Sequence, residues 1–263
     1  MSIIEAIILG VVQGITEFLP ISSSGHLIFF PELFGWDVHA LDFDVMIHLA
    51  TVLAILWVMW GDILKIGKDL FGRKGDKTLF WKIVVGTLPV VIFGLAISGA
   101  YFDQIRTVRL VAINLALWGA VLWAADWYSE SIKNRIDKIG KVKWWQAVVI
   151  GVFQAIALLP GSSRSGLTIT AGLFAGLDRK TAAKFSFLLA IPAIAGAGVL
   201  TGYDALQTGL ETPLASMIVG FIAAFIAGGV SIRFLFRFIE KANYRWFAAY
   251  RIILALILFM FIT

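Results

Sequence analysis

The sequence contains no cysteine, and no lysine or arginine precedes Lys65. The first absence excludes a disulfide framework, a thiol nucleophile and thiolate metal sites, without fixing a redox compartment. The second removes the basic n-region of a secretory leader, so the N-terminal segment is expected to be part of the fold. Charge is scarce throughout: 15% of the 263 residues are Asp, Glu, Lys or Arg against 60% hydrophobic ones, and the mean hydropathy is +0.90. That balance excludes a soluble globular domain and points to an all-α polytopic membrane protein. The net charge of +5 then reads as basic loops at one membrane face, and no nucleic-acid partner is expected.

A membrane-spanning helix needs roughly 17–25 mostly apolar residues. Six stretches meet this: 43–60, 83–101, 110–127, 185–200, 214–236 and 246–262. Two further apolar regions, 3–30 and 144–177, are interrupted by a proline followed by small and hydroxylic residues, LPISSSG at 19–25 and LPGSSRSG at 159–166. Irregular backbone at membrane depth persists only where protein or a watery cavity satisfies it. Both regions are therefore expected to be re-entrant helix–break–helix hairpins.

Loop charge predicts the orientation. Residues 61–82 hold six Lys or Arg, 129–145 five, 176–184 three and 233–246 four, whereas 1–64 and 201–213 hold none. The basic set is expected on the cytoplasmic side. Threading six spans through these assignments puts both termini, the acidic 31–42 loop and the 201–213 loop outside. The 102–109 loop also falls outside, against the charge of Arg106 and Arg109. The first hairpin then opens outward and the second toward the cytoplasm.

GVVQGITEFLPISSSG at 10–25 resembles GVFQAIALLPGSSRSG at 151–166, and IVVGTLPVVIFG at 83–94 resembles MIVGFIAAFIAG at 217–228. The reading is a single membrane domain, 1–263, built of two copies, 1–128 and 144–263, joined by a basic cytoplasmic loop 129–143. Each copy is one hairpin plus three spans. Three is odd, so the copies face opposite ways, as in an inverted-topology repeat with its site where the broken helices meet.

On a helix Gly10, Gln13, Gly14 and Glu17 share one face. The second copy offers Gly151, Gln154, Ala155 and Leu158, an amide without the carboxylate. Counting from each proline, Ser24 corresponds to Arg164. If the tips meet, Glu17 and His26 of the first copy join Arg164 of the second. Such a set suits phosphoryl transfer, whose dispersed negative charge is met by a guanidinium fork and by amides at helix N-termini. A histidine there can act as general acid or as nucleophile. Glu17 with Gln13 can hold a divalent cation through oxygens. The alternatives for single residues are structural: serines that satisfy freed carbonyls, Arg164 as a structural partner of Glu17, His26 as a satisfied core imidazole, and Gln13 and Gln154 as interhelical hydrogen-bonding pairs.

The segment QGITEFLPISSSGH closely resembles the E/Q-x-x-x-E-F-x-P-x-S-S-x-G-H motif of bacterial undecaprenyl-diphosphate phosphatases of the bacitracin-resistance type. PGSSRSG resembles that family's second motif, and similarity covers essentially the whole chain, including FSFLLAIP at 185–192 and the Tyr250–Arg251 pair of the last span. The resemblance implies that Glu17, Ser23, His26 and Arg164 are catalytic. Ser22, Ser24, Ser163 and Ser165 are expected to contact the substrate phosphates, and Glu17 with Gln13 to bind a divalent cation, Mg²⁺ or Ca²⁺. Gln13 stands where the family also has Glu, which removes one carboxylate from the metal set.

The implied activity is hydrolysis of undecaprenyl diphosphate to the monophosphate on the outer side of the bacterial plasma (inner) membrane. This recycles the lipid carrier of cell-wall synthesis and confers bacitracin resistance. The partners are the bilayer and the polyprenyl diphosphate, and a homodimer is left open. Type-2 lipid phosphatases share S-G-H, but their S-R-x5-H-x3-D motif would need His and Asp where Thr170 and Phe174 stand. The rival class is a transporter flipping a polyprenyl phosphate, because inverted repeats with broken helices also build secondary transporters.

Other polar residues read as structure. His39 is expected to be solvated in the outer loop with Asp37 and Asp42, and His48 to pack within the first span. For Arg251 a structural pairing and a phosphate contact stand equal. Trp60, Trp81, Trp127, Trp144, Trp145 and Trp246 flank spans, as an interfacial belt requires.

Overall fold

A computed structural model of the chain describes residues 1–37, 40–96 and 107–261. His39, the end of the 83–101 span, residues 102–106 of the short loop and residue 262 lie outside the described residues.

The architecture is all-helical. Helix α1 (Ile3–Phe18) is capped by Ser2, whose Oγ accepts from Glu5 N, and α2 (Ser23–Phe34) stops at Gly35 with φ 64°. Then follow α3 (Leu41–Val58), α4 (Trp60–Phe71), α5 (Thr78–Ala96) and α6 (Val108–Ser131). The second half contains α7 (Trp144–Ile156), α8 (Arg164–Phe174), α9 (Arg179–Thr208), α10 (Leu214–Lys241) and α11 (Arg245–Phe261). The one isolated β-bridge among the described residues joins Ile136 to Leu177, folding the basic linker onto the end of α8.

Five helices, α3, α5, α6, α9 over Arg179–Leu200, and α10, are long and apolar enough to cross a membrane. The chain is thus a multi-pass membrane protein. The remaining expected span, 246–262, corresponds to α11, whose 17 residues extend about 25 Å.

Two boundaries differ from the sequence reading. The 43–60 span ends at Val58, and after Met59 the chain continues as α4, whose Asp62, Lys65, Lys68 and Asp69 make it amphipathic. The 201–213 stretch is not a loop throughout: α9 continues to Thr208 and ends at Gly209, φ 87°. A lack of Lys and Arg marks a membrane side. It does not stop a helix, and nothing before Gly209 breaks this one.

Helix α1 packs on α10 and α5 packs on α7, while α3 meets α9 and α6 meets α11. Glycines set the two closest crossings. A Cβ added at Gly10 would overlap Gly220 O, and one at Gly151 would overlap Gly86 O. Small residues let membrane helices approach this closely.

The basic segments collect at one end of the bundle. Buried Asp126 receives Arg179 at 2.7 Å and Arg245 at 3.4 Å, and Glu130 binds both arginines. Lys184 pairs with Asp62 and Lys180 with Glu240. At the other end Asp42 accepts from Glu211 N, Thr212 N and Thr212 Oγ1, and Ser216 Oγ donates to Met1 O.

Candidate active site

Both interrupted regions are broken helices, and the breaks share one backbone conformation. Ser22 caps α2 with φ 75°, ψ 98°, and Ser163 caps α8 with φ 70°, ψ 106°. These are the only non-glycine residues with positive φ among the described ones. Each cap Oγ accepts from the amide three residues on, Gly25 or Gly166, and lies 3.3–3.4 Å from the serine two residues on. Aligning the caps pairs Ser23, not Ser24, with Arg164. The correspondence counted from the prolines is displaced by one because Gly161, at φ 82°, takes up an extra residue in the second turn.

Backbone groups released by the breaks are satisfied by protein side chains. Ser165 Oγ donates to Leu19 O at 3.1 Å, and His26 Nδ1 donates to Ser22 O at 2.7 Å. Asn114 Nδ2 donates to Pro160 O. Arg251, fully buried, donates to Gly161 O and Ser162 O, as well as to Asn114 O. For Arg251 the structure thus supplies the structural role.

The tips do meet. Arg164 Nη2 lies 2.9 Å from Glu17 Oε1, and its Nη1 donates to Ser186 O at 3.2 Å. Gly161 N donates to Ser24 Oγ across the junction. The other carboxylate oxygen, Glu17 Oε2, accepts from Ser23 Oγ at 2.7 Å and from Gln13 Nε2 at 3.1 Å, with His48 Nε2 at 3.8 Å. Glu17 is therefore held by groups from α1, α2 and α8, with α3 alongside. Arg164 uses two of its five N–H donors, and its buried Nε has no partner.

A cavity of about 440 Å³ opens at this junction, lined on its polar side by Glu17, Ser23, Ser24, Asp44, His48, Ser163 and Arg164. Its other walls are Leu27, Ile28, Pro31, Ala157, Leu158, Leu159, Pro160 and Ile194. A second cavity of about 360 Å³ shares Asp44, His48, Ala157, Leu158, Arg164 and Ile194 with it and continues along Val45, Val90, Ala193, Ala197 and Gly198. One wall is polar and sets Arg164 and the serines beside Glu17 and Asp44, and the rest is apolar.

Of the residues singled out from sequence, Glu17, Ser23, Ser24, Ser163 and Arg164 line the cavity together. Ser22 and Ser165 stand behind it as cap and tip-to-tip tie. His26 is not on the wall. It is buried behind the Ser22 turn, with Nε2 2.7 Å from Tyr250 Oη. His48 was expected to pack within a span, yet it lines both cavities with its Nδ1 on Asp44 O at 2.6 Å. Asp44 and His48 lie four residues apart on α3, so one helix face presents both. That spacing was readable, but nothing local tied the face to the breaks.

For a cation, Glu17 and Gln13 form a pair in which the amide nitrogen must face the carboxylate, since a carboxylate only accepts. Both Glu17 oxygens are engaged by donors, so these two residues as arranged do not make an oxygen cage. Among the described residues no cluster of three or more His, Asp or Glu has metal-site geometry.

Comparison with known proteins gives the chemistry a context. Residues 6–257 match the family described as bacitracin resistance protein BacA. A relative named undecaprenyl-diphosphatase, from Thermodesulfovibrio yellowstonii, is 43% identical over 97% of this chain and 96% of its own length. Another of that name, from Caldicellulosiruptor bescii, is 42% identical over 99% of this chain and 98% of its own. A third, from Moorella thermoacetica, is 38% identical over 97% and 96%.

Proposed function

The chain belongs to the bacitracin resistance protein BacA family, and we infer from this and from the site that it is an integral membrane phosphatase. It hydrolyses undecaprenyl diphosphate to undecaprenyl phosphate and phosphate, recycling the lipid carrier. The observation that carries the reading is the Arg164–Glu17 contact at 2.9 Å on the polar wall of a cavity whose other walls are hydrocarbon. A lipid diphosphate has that same division of charge and apolar surface. The purified protein in detergent is expected to release phosphate from farnesyl diphosphate, a short-chain substrate of the same head group. A protein that only transports lipid releases none, which separates the flippase reading favoured by the two broken helices.

We assign the roles by reach. Ser23 Oγ donates to Glu17 Oε2, the arrangement of a nucleophile with its base, and Gln13 and Arg164 fix the carboxylate. In this reading Ser23 Oγ attacks the terminal phosphorus while its proton passes to Glu17. The bond to the bridging oxygen breaks and polyprenyl phosphate departs, and water then hydrolyses the phosphoserine. Arg164 and the amides at the starts of α2 and α8 hold the phosphate oxygens. Ser24 and Ser163 contact the same phosphate, while His26 acts from behind by fixing the Ser22 turn. Were a divalent cation, Mg²⁺ or Ca²⁺, bound here, Asp44 on the cavity wall is the carboxylate that would hold it, and the ion would supply charge neutralisation.

The topology reading is an inverted repeat of two hairpins and six spans. The equal Ser22 and Ser163 geometries and the paired Gly10–Gly220 and Gly86–Gly151 crossings support it. Helices α2, α7 and α8 run about 16–20 Å, well short of a bilayer core, as re-entrant halves would be. The basic end faces the cytoplasm of a bacterial inner membrane and the Asp42–Thr212 end faces out. A chain without native cysteine makes the test clean. In intact cells Glu211→Cys is expected to react with a membrane-impermeant thiol reagent, and Lys138→Cys only after permeabilisation. The reverse pattern would invert the topology.

A further inference from the structure

Gln154 occupies in the second hairpin the place that Gln13 occupies in the first. Gln13 spends its amide nitrogen on Glu17. Leu158 stands where that carboxylate would be, and Gln154 is left with neither Oε1 nor Nε2 hydrogen-bonded, at 1% exposure. A buried amide unpaired at both atoms is costly. It lies on the wall of the second cavity, with Arg164 and His48 as the cationic or ionisable donors, Asp44 as the acidic neighbour, and apolar Val90 and Ala197 beyond. Arg164 also lines the first cavity, so it stands between the two.

A diphosphate ester has two unlike phosphates, one leaving and one that stays on the hydrocarbon. The break serines that reach a cavity, Ser23, Ser24 and Ser163, all line the first. The second has the orphan amide, and beyond the residues it shares with the first its wall is apolar: Leu41, Val45, Val90, Ala193 and Ala197. We propose that Gln154 is a substrate-binding residue for the phosphate that remains on the lipid. It donates through Nε2 to an oxygen of that phosphate beside Arg164, while the leaving phosphate occupies the Ser23–Ser24–Ser163 cavity. The inference rests on the diphosphatase reading and adds the direction in which the substrate lies: head group toward Ser23, chain toward Val90 and Ala197. It also accounts for an amide kept where the hairpin has lost its carboxylate.

The two products are the probes. With the full chain in detergent, farnesyl monophosphate and inorganic phosphate are measured as competitive inhibitors of farnesyl diphosphate hydrolysis. In Gln154→Leu the inhibition constant for farnesyl monophosphate is expected to rise about 10- to 100-fold, the worth of a hydrogen bond to a charged group. That for inorganic phosphate should stay within about twofold, because its cavity is untouched. Gln154→Ala, which removes the amide without adding a branched chain, should move the same constant in the same direction. The thermal midpoint of ligand-free Gln154→Leu should equal or exceed that of the parent, since an apolar side chain replaces an unpaired polar one. Unchanged constants overturn the proposal, and so does a rise confined to inorganic phosphate or shared equally by both inhibitors. Failure of the parent protein to release phosphate at all is a different result, seen before any variant is made, and refutes the enzymatic reading itself.

Discussion

Arg164→Lys is expected to lower the turnover of farnesyl diphosphate by about 10³-fold, within the range found when one charged or oxyanion-stabilising group is removed from a transferring centre. The reason is geometric. Arg164 already spans from Glu17 Oε1 to Ser186 O with its two terminal nitrogens, and the planar guanidinium lines the cavity. A lysine ammonium keeps the charge but is a single point on a flexible stem, so it cannot hold both anchors and grip a phosphate as a fork does. Lysine is a sharper test than alanine, because alanine would leave buried Glu17 without its ion pair and mix unfolding with lost chemistry. Thermal melting of the variant in detergent should stay near that of the parent while phosphate release collapses. Turnover within about tenfold of the parent would remove Arg164 from the transition state and leave it a structural tie.

Much of this site was legible because its residues violate the composition around them. Proline and serines within an apolar run announce a break, and two breaks of similar sequence announce that Glu17 and Arg164 meet. The register was not legible. Counting from proline pairs Ser24 with Arg164, and only the positive-φ caps show that Ser23 is the counterpart, because Gly161 absorbs the extra residue. His26 also looked like a cavity residue, since sequence adjacency to SSSG says nothing of Tyr250, 224 residues away. Asp44 and His48 were hidden the opposite way. They sit in a continuous apolar span and gain meaning only when α3 packs beside α9 and α10. Gln154 showed as a repeat residue, but its lack of a partner needed coordinates.

Glu17→Gln and Ser23→Ala are each expected to reduce turnover by about 10³- to 10⁴-fold, and the double variant by no more than the worse single one, as happens when residues act as one unit. Ser23 Oγ sits 2.7 Å from Glu17 Oε2, so a nucleophile without its base and a base without its nucleophile should fail alike. Glutamine fits the site. Its carbonyl can still accept from Arg164, and the orphaned Oε1 of Gln13 can turn to receive the new amide, so shape is kept while proton acceptance is lost. Phosphate labelled through the substrate should be trapped on serine when the parent is quenched in acid, and in Ser23→Ala it should not. Should the two losses multiply in the double variant, the residues act in separate steps. Ser23 is then a phosphate donor beside a carboxylate that activates water directly.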